Sequence, residues 1–63
     1  MPVIIFEGPR LTREQKEQLV NEFASAAARI TNLSPDKIIT LIKENSPEDV
    51  GVGTQLLADT RRG

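Results

Sequence analysis

The 63-residue chain contains no cysteine, histidine, tryptophan or tyrosine, and each absence removes a class of function. Without cysteine there are no disulfides, no thiolate zinc sites and no thiol nucleophile. Without histidine the commonest general base, the commonest metal ligand and every Ser–His arrangement are gone. Two phenylalanines are all the aromatic surface available, too little to stack a run of bases. Eight Lys and Arg stand against nine Asp and Glu, a formal charge of −1. That balance is too even for a module whose task is gripping phosphates, so nucleic acid is not an expected partner. No apolar run approaches about 18 residues, and no basic segment precedes a hydrophobic one. The expectation is a soluble, cytoplasmic protein with no membrane role.

Length adds a constraint. The chain reads as a single domain spanning 1–63. A domain of this size buries only about 60% of the surface its unfolded chain exposes. Small domains compensate with disulfides, a metal or partner subunits. Disulfides are impossible here and only carboxylates are on offer to a metal, so a homo-oligomer is expected.

What is present reads as alternating strand and helix. Val3-Ile4-Ile5-Phe6 is a short apolar run rich in β-formers, closed by Glu7-Gly8-Pro9. Thr12 with Gln15 three residues on fits a capping box, and Glu14 and Glu17 sit where the helix dipole favours anions. Leu19, Phe23, Ala26, Ala27 and Ile30 then recur at steps of three and four, with Val20 and Ala24 widening the stripe. That spacing predicts an amphipathic helix from Arg13 to about Asn32. Ser34-Pro35-Asp36-Lys37 fits one helical turn capped by serine. Ile38-Ile39-Thr40-Leu41-Ile42 predicts a second strand, broken at Ser46-Pro47. Val50-Gly51-Val52-Gly53 predicts a tight hairpin, followed by a polar tail interrupted only by Leu56 and Leu57.

Two apolar strands separated by a long helix make an α/β protein built on a β-α-β unit, with parallel strands and a right-handed crossover. One helix covers one face of the sheet. Ile4 and Phe6 point to one face and Val3 and Ile5 to the other, so the uncovered face is expected to meet another subunit.

Candidate chemistry is sparse. Initiator methionine is commonly removed before a small residue, and its removal would leave Pro2 with a free secondary amine. An α-amino group titrates near pH 7.7–8.0, and apolar surroundings or a neighbouring arginine push that value toward neutrality, where a general base works best. In a peptide bond the same nitrogen is an amide and no base, and Met-Pro is also simply a common start. Arg10, in the loop before the helix, can hold a carboxylate bidentately, although a loop arginine is more often a solvated charge. Arg61-Arg62 reads as a solvated end. Gly51-Val52-Gly53 fails as a phosphate loop because no strand precedes it and no helix is evident after it. Glu44, Glu48 and Asp49 follow no metal-ligand spacing and read as solvated surface.

Taken together, Pro2 opening an apolar strand, Glu7-Gly8, Glu14-Gln15-Lys16, Ile42-Lys43-Glu44, Gly51-Val52-Gly53 and Arg61-Arg62 closely resemble the 4-oxalocrotonate tautomerase family of the tautomerase superfamily. The resemblance runs over essentially the whole chain and rests on order and length rather than on one motif. It implies a β-α-β protomer assembled as a homohexamer, a trimer of dimers. It further implies a cofactor-free and metal-free isomerase whose N-terminal proline moves a proton between enol and keto forms of a 2-oxo acid or dicarboxylate. Arginines would hold the carboxylates, and an apolar hairpin residue would help keep the proline neutral. Pro2 matches the catalytic proline. Pro9 intervenes where the family's loop arginine follows the glycine, leaving Arg10 as its nearest counterpart and Leu11 at the aligned position. The second-strand arginine falls on Ile39 and is lost, the hairpin phenylalanine falls on Val50, and Arg10, Lys43 and Arg61 are the alternative cations to replace the lost arginine at the substrate. The lost strand arginine keeps a hydratase or dehalogenase on the same scaffold open, as well as a non-catalytic oligomeric binding module.

Strand geometry gives an independent expectation. With a rise of roughly 3.3 Å per residue, Pro2 and the Gly8-Pro9-Arg10 loop lie about 20 Å apart at opposite ends of one strand. If both serve one ligand, they come from different protomers.

Overall fold

A computed structural model of the chain describes residues 1–60. Strand β1 (Val3–Gly8) leads to helix α1 (Arg13–Thr31), and after a 3-10 turn at Pro35–Lys37 strand β2 (Ile39–Glu44) follows. A second 3-10 turn at Pro47–Asp49 precedes β3 (Gly51–Val52), β4 (Gln55–Leu56) and the single-turn helix α2 (Leu57–Thr60). The β1–β2 pair is parallel, with Val3 opposite Ile39 and Gly8 opposite Glu44, and β3–β4 is an antiparallel hairpin.

Local signals explain most boundaries. The Thr12 side chain accepts from the Gln15 N–H while the Gln15 side chain accepts from the Thr12 N–H, so two orphan donors are satisfied at the start of α1. Asn32 closes the helix in the left-handed region at φ 61°, its N–H bonding to the Ala28 carbonyl. Ser34 and Ser46 each accept from the N–H two residues on, with proline next in sequence, and start the two 3-10 turns.

Three expectations need correction. β1 runs two residues beyond Phe6, because Glu7 and Gly8 find ladder partners in Lys43 and Glu44. β2 begins at Ile39, not Ile38, because the Ile38 N–H is committed to the Pro35 carbonyl. The segment after Gly53 is no plain polar tail. Gln55 and Leu56 pair with Val52 and Gly51, and the Leu57 N–H then bonds to the Val50 carbonyl at 2.7 Å.

α1 lies on one face of the β1–β2 sheet. Phe6 and Phe23 join the layers, their ring centroids 6.1 Å apart and tilted by 43°. The expected stripe is covered at Leu19, Phe23, Ala24, Ala26 and Ala27, but Ile30 is 77% exposed and Val20 40%. A 19-residue helix is about 28 Å long and outreaches six-residue strands of about 20 Å, so the last turn overhangs the sheet.

The opposite sheet face is bare. Val3, Ile5, Ile39 and Leu41 are 52%, 54%, 37% and 45% exposed, and Ala28 is the one buried hydrophobic residue among those described. The radius of gyration is 15.0 Å, against about 11 Å for a compact chain of this length. The accessible area of 5200 Å² likewise exceeds the roughly 4,000 Å² usual at this mass. A single chain therefore leaves one apolar face of its sheet outside any core. Among the described residues, no helix is long and apolar enough to cross a membrane.

Candidate active site

The sheet divides the sequence-predicted residues between its two ends. Pro2 is half-buried immediately before β1, and its carbonyl accepts from the Ile39 N–H at 3.0 Å. Pro2 and Ile39 thus share one end, with Met1 projecting 87% exposed. At the other end, Pro9 and Arg10 follow β1. Arg10 lines a cleft of 440 Å³ with Glu44, Asn45, Ser46, Pro47 and Asp49. Val50 lines an adjoining cleft with Glu7, Gly8, Pro9, Asn45, Pro47 and Leu57. Within one chain, Pro2 is brought to Ile39 and Arg10 to the neighbourhood of Val50, and the two pairs stay a strand's length apart. Arg61 lies outside the described residues.

Glu44 lies on the exposed surface, as its sequence context suggested, but it is not without partners. Its carboxylate accepts from the Leu11 N–H at 3.1 Å and pairs with the Lys16 ammonium at 3.0 Å. The Lys16 hydrogen bond first, and the Leu11 N–H second, hold the Glu44 carboxyl below its ordinary value. Beside it, the Asn45 N–H donates to the Gly8 carbonyl at 2.8 Å, and the Asn45 side-chain amide donates to Glu7 at 3.3 Å. Glu44 and Lys16 are 28 positions apart, so no local pattern announces them; the packing of α1 against β2 brings them together. Among the described residues, no group of three or more acidic side chains converges as a metal-ligand set.

The family model for tautomerase enzymes matches residues 2–60. This chain belongs to the tautomerase family. The crystal structure of DmpI from Archaeoglobus fulgidus is 41% identical, with a TM-score of 0.84 over 92% of this chain and 100% of that one. A structure from work on the 4-oxalocrotonate tautomerase isozymes of Methylibium petroleiphilum is 30% identical, with a TM-score of 0.83 over 92% of each chain. A heterohexamer 4-oxalocrotonate tautomerase from Chloroflexus aurantiacus J-10-fl is 26% identical, with a TM-score of 0.82 over 97% of this chain and 100% of that one. No curated protein sequence matches significantly.

Tautomerase-family membership and the β-α-β architecture agree with the resemblance read from the sequence. The matched segment opens at Pro2, and in this tautomerase fold Pro2 heads the strand whose far end carries the Arg10 loop.

Proposed function

We propose that this tautomerase-family chain is a cofactor-independent isomerase that interconverts enol and keto forms of a 2-oxo acid, with the Pro2 amine, freed of Met1, as general base. The observation that carries this reading is the placement of Pro2 against Ile39 at one apolar sheet end, in a chain with neither histidine nor cysteine to serve as base. The neutral Pro2 nitrogen takes the enol hydroxyl proton, the carbonyl forms as the double-bond pair shifts to carbon, and the same proton is delivered to that carbon. Nothing is gained or lost, so no cofactor enters the balance.

The substrate carboxylate binds Arg10 of a neighbouring protomer, because the Arg10 of the same chain stands at the far end of β1. Ile39 and Val50 form apolar wall that disfavours the charged amine, and Arg61 is a further cation for the carboxylate. The bare face of Val3, Ile5, Ile39 and Leu41 supports self-association, and a homohexamer built as a trimer of dimers is the assembly proposed. Ile39 also favours a second reading, hydration or dehalogenation of an unsaturated acid, since an aliphatic side chain beside Pro2 cannot polarise a 2-oxygen.

The test pairs intact mass with turnover. Protein lacking Met1 should ketonise 2-hydroxymuconate or phenylenolpyruvate, and Pro2→Ala should lose that rate. Equal rates for the two proteins on every enol would overturn the catalytic role of Pro2, and turnover of haloacrylates in place of enols would select the second reading. A native protein that keeps Met1 would leave only the binding module.

A further inference from the structure

The loop between β1 and α1 is tethered on both sides of Arg10. Upstream, the Gly8 carbonyl accepts from the Asn45 N–H at 2.8 Å. Downstream, the Leu11 N–H donates to Glu44 at 3.1 Å, and the capping box locks Thr12 one residue later. Between these anchors Pro9 has its φ fixed by its ring. Both tethers come from consecutive residues at the end of β2, so the sheet itself dictates where the Arg10 backbone sits. Glu44 and Arg10 line the same cleft. The Glu44 carboxylate pairs with the Lys16 ammonium at 3.0 Å, whereas Arg10 has no ion-pair partner among the described residues.

From this geometry we infer that Glu44 is a positioning residue for substrate binding: its carboxylate, held by Lys16, pins the Leu11 N–H and thereby aims the unpaired Arg10 guanidinium into the cleft for a substrate carboxylate. The inference rests on the reading of Arg10 as the carboxylate-binding residue. Glu44 touches no reacting atom, and its effect passes entirely through Arg10.

A double-mutant cycle on the Met1-free protein, with 2-hydroxymuconate and phenylenolpyruvate as probes, separates the possibilities. Glu44→Ala should raise KM about tenfold and change kcat less than about twofold, since a misplaced binding group weakens capture rather than proton transfer. Glu44→Gln, whose amide oxygen still accepts from Leu11, should keep KM within about threefold of the parent. In an Arg10→Ala background the KM effect of Glu44→Ala should vanish. Amide exchange reads the tether without turnover: the Leu11 N–H should lose protection in Glu44→Ala and keep it in Glu44→Gln. If Glu44→Ala does not assemble, Glu44→Asp, one methylene short of Leu11, carries the same cycle.

An equal KM factor in both backgrounds, or a glutamine variant as impaired as alanine, overturns the inference. Arg10→Ala raising KM while Glu44→Ala leaves it unchanged sinks this inference alone. Arg10→Ala without effect on KM, or no turnover of either enol, removes the functional reading beneath it as well.

Discussion

The Phe6 ring lies directly against Gly8: a Cβ added at Gly8 would stand 2.8 Å from the Phe6 Cε2 and 3.0 Å from its Cζ. The same ring packs on Phe23 of α1, so it cannot retreat without loosening the helix from the sheet. Gly8→Ala should therefore destabilise the protein by about 1–3 kcal/mol, the usual cost of forcing a methyl into an occupied space. Phe6→Leu should relieve part of that loss. Thermal melts of the two single variants and the double variant would show it, and an unshifted Gly8→Ala melt would refute the crowding.

Thr12→Ala removes one half of the reciprocal cap on α1. The expected loss is about 0.5–2 kcal/mol, smaller if Gln15 still accepts from the backbone. Denaturant midpoints at constant m-value would register it, and a change in m would instead point to a less compact state.

Glu44 sets a pH window. Its folded pKa lies below its ordinary value of 4.5, so its contribution is fully present above that ordinary value and is lost as pH falls through the lowered one. Urea midpoints for the parent and Glu44→Gln should differ most near neutrality and converge in acid. Added salt should narrow the neutral gap, because Lys16 and Glu44 are both partly exposed. A gap that widens toward acid would contradict the sign.

Mixed assembly tests the separation of Pro2 from Arg10. Pro2→Ala and Arg10→Ala should each be weak alone. Co-refolded together, they should regain activity in about a quarter of sites, those that draw an intact proline from one parent and an intact arginine from the other. No recovery on mixing would place both residues of a site on one chain.

Leu41→Lys places a charge on the bare sheet face, where Leu41 is 45% exposed in the protomer. Sedimentation should report dissociation together with loss of activity and of cooperative unfolding, since the separated chain leaves one apolar face of its sheet outside any core. A monomer that stays fully active would refute the intersubunit site.

What could be read from the sequence was local. The β-branched run, the Thr12–Gln15 box and the Ser34-Pro35 turn each act within a few residues, and each appears where its chemistry requires. Ser46-Pro47 was legible as a break, but its likeness to Ser34-Pro35 also marks a capped 3-10 turn. Glu7 and Gly8 joined β1 through ladder partners contributed by β2, and Leu57 turned back through a bond to Val50; neither has a signature in its own neighbourhood. The site divided the same way. Pro2 and Arg10 stood out by residue type, whereas Glu44 looked like one more surface carboxylate, because its meaning lies in a contact with residues of another element.

The slab-like protomer, 43 × 24 × 14 Å, has a consequence for how the protein accumulates. In the assembly proposed, a newly released copy that has met no other leaves Val3, Ile5 and Leu41 about half exposed, and so open to proteases and to binders of sticky surface. Yield of finished particles should then climb more steeply than the rate of translation, and a cell making few copies should hold disproportionately little of the mature form.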